Sequence, residues 1–225
     1  MSEMAIGERA PGKAELAYET IREAILAGEL EPGAAIDKSA LCESLGVSRY
    51  PVTSAIGRLA FERLVRIAPQ RGSFVAPISA GDVREVLFLR GAVESAVAAR
   101  AAVELDDDAR AALAANLDAA EAAARDRPRF YALDVAFHAG LTAPLKLHRT
   151  AEMLDVMHAD LQRARRLMMI SPSRPMQTLA EHRAVLAAIK SRDAEAARVA
   201  MAAHIGAVSA SFEALAREKP NLFTP

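Results

Sequence analysis

Residues 45–76 read LGVSRYPVTSAIGRLAFERLVRIAPQRGSFVA. Ser48 is a residue type that opens helices, and Pro51 would fall in the first turn, where its missing N–H costs nothing. Val52, Ile56, Leu59 and Leu64 recur at helical spacing and would face inward. The segments VRIAP and SFVAP that follow are β-prone and joined by Gln70-Arg71-Gly72, which reads as a two-stranded wing with a basic, glycine-containing tip. Working outward, Leu16, Ile21, Ile25 and Leu26 lie near one face of a first helix over residues 14–30, ended by a Glu31-Pro32-Gly33 turn. Leu41, Leu45 and Val47 belong to a short second helix broken at Gly46. Two short helices in this order, the later one opening with Ser48, Arg49 and Tyr50, make a helix-turn-helix, a unit that presents its second helix to a DNA major groove.

Charge supports this reading locally and nowhere else. The 225 residues carry 28 basic and 29 acidic side chains, so whole-molecule charge gives no hint of a nucleic-acid or membrane partner, which must be met by a local patch. Between residues 46 and 76, however, five arginines (Arg49, Arg58, Arg63, Arg66 and Arg71) stand against the single acidic Glu62. A helical hairpin for binding protein would not need that excess or the wing. Cys42, the only cysteine, lies between Leu41 and Leu45, which excludes an intrachain disulfide and reads as a small core side chain. The first residues, MSEMAIGERA, lack a basic segment followed by an apolar core, and no run approaches the roughly 18 apolar residues of a membrane span. The expected location is the cytoplasm, with no membrane partner.

Beyond Pro77 the chain becomes a succession of helical patterns. Alanine supplies fifteen of the twenty-nine residues from Ala96 to Ala124, with Val97, Val103, Leu105, Leu113 and Leu117 punctuating them as a buried stripe would. Ser79 and Asp82 make a capping-box-like start for a helix to about Val103, and Asp106-Asp107-Asp108 suits the next helix start. Pro128, Pro144, Ser171-Pro172 and Pro175 mark later boundaries, giving about six helices between Ser79 and Arg217 and no period-2 strand among them. The fold class expected is mainly α: a winged helix-turn-helix over residues 10–77 and an antiparallel bundle over 78–217. The last residues, 218–225, read as a frayed, flexible tail.

One stretch in that bundle, LDVAFHAGL (133–141), places Asp134 and His138 one turn apart on a single helix face. His182 and His204 fall in two further helices, while His148 and His158 lack a recognisable context. Three buried imidazoles and a carboxylate are costly to hide separately, and gathering them round one divalent cation removes that cost. Zinc, nickel, manganese or iron would suit such donors. The bland alternative is a set of hydrogen-bonded core histidines, and the residues alone leave both open. Arg90 stands one turn before Glu94, a spacing that suits a structural salt bridge.

The segment LGVSRYPVTSAIGRLAFERLV with APQRGSFVAPI resembles the winged helix-turn-helix of GntR-family transcription regulators. The resemblance implies that Ser48, Arg49 and the residues after them, Tyr50, Thr53 and Arg58, meet DNA phosphates and bases, with Arg71 and Gly72 of the wing tip reaching the minor groove. Thr53 stands where the family usually has arginine, and Ser54 where it usually has glutamate. Threonine cannot pair bidentately with guanine, so the operator should differ at that base pair. Residues from about Ser79 to Arg217 resemble the all-helical effector domain of the FadR subfamily, which implies Asp134, His138, His182 and His204 as metal ligands. Within that reading a small organic acid completes the metal shell, with Arg90 pairing a second anionic group.

The function expected is therefore a homodimeric, effector-responsive regulator on a palindromic operator, and not an enzyme. Two other readings use the same four residues. In one the metal ion itself is the signal; in the other the metal activates water in a metal-dependent enzyme. Against the enzyme, no further carboxylate or histidine is clearly placed as a general base.

Overall fold

A computed structural model of the chain describes residues 12–168 and 174–224, and divides it into two compact units, Met1–Pro77 and Ile78–Pro225. The N-terminal decapeptide and the boundary expected at Ser171-Pro172 lie outside the described residues.

The first unit contains α1 (Lys13–Ala27), α2 (Lys38–Leu45), α3 (Arg49–Phe61), β1 (Val65–Ala68) and β2 (Gly72–Val75). Helix α1 ends earlier than the sequence pattern suggests. Gly28 adopts φ 72°, and its N–H caps the carbonyls of Ala24 and Ile25 before the Glu31-Pro32-Gly33 turn is reached. Asp37 caps α2 by accepting from the N–H groups of Ser39 (2.8 Å) and Ala40 (3.0 Å), and Gly46 closes it at φ 62°. Ile21 and Ile25 of α1 meet Ile56 and Leu59 of α3, with Leu64 and Val75 closing the same core.

Helix α3 ends in an unusual way. Leu64 N–H reaches Leu59 O (2.9 Å) and Arg63 N–H reaches Ala60 O (3.1 Å), the pair of bonds that normally surrounds a left-handed glycine. Here the left-handed residue is Arg63, at φ 59°. The chain then forms the wing, with β1 and β2 antiparallel and Val65 opposite Val75, Ala68 opposite Gly72. A feature the sequence pattern did not reveal is a third, short edge. Ile36 N–H bonds to Ser73 O (2.8 Å) and Val75 N–H to Ala34 O (2.9 Å), so the segment before α2 braces the wing.

The second unit runs β3 (Ile78–Ser79), α4 (Ala80–Glu104), α5 (Asp107–Ala122), α6 (Arg127–Thr142), α7 (His148–Met168), α8 (Arg174–Lys190), α9 (Ala194–Glu218) and β4 (Phe223–Thr224). The starts of α4 and α5 follow the expected caps, and two further aspartates act alike. Ser79 Oγ accepts from Asp82 N–H (3.1 Å), and Asp106, Asp126 and Asp193 cap α5, α6 and α9 in the same manner. Alanine and glycine permit close approach. A Cβ at Gly140 would stand 2.9 Å from Leu113 Cδ2, so any larger residue there would oblige the Leu113 side chain of α5 to shift.

Two expectations are corrected here. Helix α9 is long and apolar enough to cross a membrane by length and composition, contrary to the reading that no run approaches that size. Its alanines supply much of that hydropathy, while its larger side chains Met201, Ile205, Val208 and Phe212 are buried in the unit's core. Nor do the described tail residues fray. After a 3-10 turn at Pro220–Leu222, β4 pairs in parallel with β3, Ile78 opposite Phe223 and Ser79 opposite Thr224. Phe223 anchors the pairing by meeting Phe212 edge to face at 5.3 Å between centroids.

Candidate functional site

Five helices of the second unit send polar side chains to one buried point. Helix α6 supplies Asp134 and His138, α8 supplies His182, and α9 supplies His204; all four are buried. One ring nitrogen from each of the three histidines lies within 4.8 Å of the other two. His182 Nε2 and His204 Nε2 are 3.3 Å apart, and Asp134 Oδ1 is 3.7 Å from His182 Nε2. Phe137, adjacent in sequence to His138, stacks on the His182 ring at 4.2 Å between centroids and shields it on that face.

The outer contacts set how these donors point. His204 Nδ1 lies 2.7 Å from Glu181 Oε2, and Glu181 is held bidentately by Arg174 at 2.9 and 3.1 Å. His138 Nδ1 meets Glu94 Oε2, and Glu94 Oε1 accepts from Arg90 Nε at 2.5 Å. Both histidines thus follow the order arginine, glutamate, imidazole. A carboxylate at Nδ1 keeps the proton there and leaves the Nε2 lone pair free. Asp134 is held by Arg165 of α7, with Nη1 2.7 Å from Oδ2.

Electrostatics favour the metal-ready protonation state. Burial is the largest single influence on Asp134 and opposes its ionisation, but the Arg165 guanidinium and the surrounding imidazoles together outweigh it and hold the carboxyl well below the usual carboxylate range. Burial, reinforced by the neighbouring imidazoles, pushes His182 and His204 well below the usual imidazole value. The point therefore collects the Asp134 carboxylate and the neutral nitrogen donors of His182 and His204 at neutral pH, a donor set that fits a borderline divalent cation.

Arg90 forms the bridge to Glu94 that its spacing allows. It is fully buried and bridged to Glu94 through Nε, while Nη1 and Nη2 have no hydrogen-bond partner among the described residues. Two buried, charged donors left without acceptors carry a large desolvation cost, which a carboxylate arriving beside them would remove.

In the first unit, Ser48, Arg49, Tyr50 and Thr53 are exposed on α3, and Arg71 and Gly72 are exposed at the wing tip. Ser48 occupies the capping position of α3 without a side-chain capping bond, a departure from the expected cap. Arg49 and Arg71 form no ion pair among the described residues. Arg58, also exposed, is engaged by partners within the unit. Its Nη1 lies 2.9 and 3.1 Å from the Glu15 carboxylate oxygens, its Nε is 3.5 Å from Glu62, and its guanidinium stacks 3.5 Å from the Tyr18 ring centroid. It fastens α3 to α1.

A winged helix-turn-helix with a bare basic face, joined in sequence to a helical unit that buries a histidine cluster, is the makeup of a DNA-binding transcription regulator. Residues 13–75 match the gntR family of bacterial regulatory proteins and residues 85–207 match the FCD domain, and the chain belongs to the GntR family. It is 35% identical over 206 residues to an HTH-type transcriptional regulator in an unstable DNA locus of Streptomyces ambofaciens, covering 92% of this chain and 87% of that one. It is 31% identical to the HTH-type transcriptional repressor RspR of Escherichia coli K12, covering 92% of both. The fold is that of E. coli McbR/YncC, with TM-score 0.77 at 21% identity over 91% of this chain and 98% of that one. A GntR transcriptional regulator from Rhodococcus sp. RHA1 superimposes equally well, with TM-score 0.77 at 24% identity over 90% and 98% of the two chains. These relatives are regulators, and the chain is read as one rather than as an enzyme.

Glu94, Arg165, Arg174 and Glu181 were not selected as site residues from sequence. From sequence Glu94 stands out only as a partner of Arg90. Acidic and basic residues on alanine-rich helices look like solvated surface until the packing shows which of them are turned inward.

Proposed function

We propose that the protein is an effector-responsive regulator whose helical unit holds one divalent transition metal, zinc, nickel, manganese or iron, on Asp134, His138, His182 and His204. The observation that carries the reading is the convergence of three imidazoles whose outer nitrogens, at His138 and His204, are already occupied by carboxylates. When bound, the metal supplies a fixed positive centre able to take an oxygen ligand. The chain's own residues do the rest: Glu94 and Glu181 orient the rings, Arg165 keeps Asp134 ionised, and Phe137 excludes water from one face of His182. A small organic acid completes the shell, with the terminal nitrogens of Arg90 pairing an anionic group.

The winged unit recognises a palindromic operator in the cytoplasm as part of a homodimer, through Ser48, Arg49, Tyr50 and Thr53 in the major groove and Arg71 and Gly72 at the wing. Effector alters operator affinity by binding unequally to DNA-competent and DNA-incompetent arrangements.

Elemental analysis of chelator-treated and then metal-reloaded protein, beside a His138→Ala/His182→Ala double variant checked for folding by circular dichroism, tests the metal. About one transition metal per chain, lost in the variant, is the outcome expected of a single four-ligand site. No metal in either after reloading with zinc, nickel, manganese and ferrous iron would sink the reading. Operator affinity that follows metal occupancy with no organic acid present would favour the reading in which the ion is the signal.

A further inference from the structure

Helices α4 and α9 run antiparallel against each other. Arg84 Nε lies 2.7 Å from Glu213 Oε1, and farther along α4 a Cβ at Gly91 would stand 3.7 Å from Ile205 Cγ2. Each helix buries one stripe, Val83, Leu87 and Val97 on α4 and Met201, Val208 and Phe212 on α9. The opposite side of each is exposed and apolar. On α4 it carries Phe88 (75% exposed), Ala92, Ala96 and Val103 (60%), which fall within about 80° of one another at 3.6 residues per turn. On α9 it carries Val199, Ala203 and Ala210, and no charged residue interrupts the sequence from 199 to 212. Only 33% of the most apolar part of α9 is buried. Both exposed sides stand opposite the core while the helices touch along their flanks, so the two form one apolar face.

The size and pattern of that face favour one occupant. Two adjacent helices of 25 residues, about 37 Å long and together about 20 Å wide, present roughly 700 Å² with the rim included. That approaches the roughly 800 Å² each partner gives to a standard interface. The borders are already neutral: Arg84 pairs with Glu213, Arg100 with Glu104 and Arg198 with Glu195, each through a contact of 2.7 Å. A face made for an anionic bilayer would be edged with unpaired cations instead. The pattern on α4 is also its own complement. Phe88 stands eight residues before Ala96 and Val103 seven after it, so an antiparallel crossing at Ala96 brings each bulky end beside the opposite end of a second α4, over a centre of small residues.

We infer that this face receives a second copy of the chain, with α4 antiparallel to α4 about Ala96 and Phe88 of one copy beside Val103 of the other. The inference rests on the homodimer reading and adds where the copies meet: on the outer side of the same two helices that present Glu94 and His204 inward.

Sedimentation of the full-length chain over about 0.1–50 µM tests it, with Ala96→Glu and Ala203→Glu on the face and Ala111→Glu, at an exposed position of α5, as control. The parent and the control should be dimers. Each glutamate on the face is repeated by the symmetry, and should raise the dimer Kd by about 100-fold with helical content by circular dichroism unchanged. With Cys42→Ser as background, Ala96→Cys should give a disulfide-linked dimer on mild oxidation, because Cα atoms at such a crossing come within the roughly 4.4–6.8 Å that a disulfide spans. A dimeric parent whose Kd both face variants leave within about twofold would overturn the inference while the homodimer reading stands. So would a dimer that Ala96→Cys fails to link. A parent that stays monomeric throughout overturns both, and if that monomer binds vesicles of phosphatidylcholine and phosphatidylglycerol, the face belongs to a bilayer.

Discussion

Glu181 Oε2 and His204 Nδ1 stand 2.7 Å apart, joining the residue that precedes one histidine of the cluster to the ring of another. Adjacent residues of α8 thus serve two different imidazoles, His182 directly and His204 from behind. Glu181→Gln keeps the shape and a hydrogen-bonding oxygen but removes the charge that raises ring basicity. We expect metal affinity to fall by about 10- to 100-fold with the helical content unchanged, measured by competition with a chromophoric chelator. Unaltered affinity would show that Glu181 serves packing alone.

Acid should destabilise the metal-free helical unit sooner than its carboxylates alone would dictate. His182 and His204 are held neutral by burial, whereas in the unfolded chain they protonate around the ordinary value of 6.5. Below that pH the unfolded state binds more protons than the folded one, so stability is full above about 7 and declines as pH falls. From pH 7.5 to 5.5 the decline should be about 1.4 kcal/mol for each imidazole, read from urea unfolding of chelator-treated protein. His182→Gln should remove about half of it; a slope that ignores this substitution would contradict the assignment.

Arg63 occupies a left-handed site where glycine would be unstrained. Arg63→Gly should stabilise the winged unit by about 1 kcal/mol, seen as a higher urea midpoint with no change in m-value. A lower midpoint would mean that the arginine side chain contributes more than its backbone costs.

The described tail residues should behave as part of the bundle. Phe223→Ala removes the edge-to-face contact with Phe212, and we expect about 1–2 kcal/mol of lost stability in the helical unit and faster trimming by carboxypeptidase. Equal trimming of parent and variant would restore the reading of a frayed end.

The winged unit was the most legible part of the chain because its signals are local: a cap position, a proline in the first turn, an apolar stripe and a turn-forming Gln-Arg-Gly. The six helices were legible for the same reason, through Ser79, Asp106 and the prolines. What sequence could not show depends on partners far along the chain. Arg58 looks like one more cation in a basic stretch, and only the approach of Glu15 and Tyr18, forty or more residues away, gives it a structural role. The tail looked frayed because a two-residue strand has no periodicity to detect, and its partner Ile78 lies 145 residues before Phe223. His138, His182 and His204 could be named individually from spacing and resemblance. Their mutual distances, and the glutamates behind two of them, exist only once α4, α6, α8 and α9 are packed.

The pairing of β3 with β4 has one more consequence. Neighbouring strands lie about 4.8 Å apart, so the two ends of the helical unit stand side by side, with the chain running through both in the same direction. A body with its ends so placed is a cassette: residues 78–224 could be spliced into an exposed loop of an unrelated host without stretching either molecule. In such a graft, any rearrangement around the histidine cluster that reached α9 would arrive at the splice as a change in the gap between two strands.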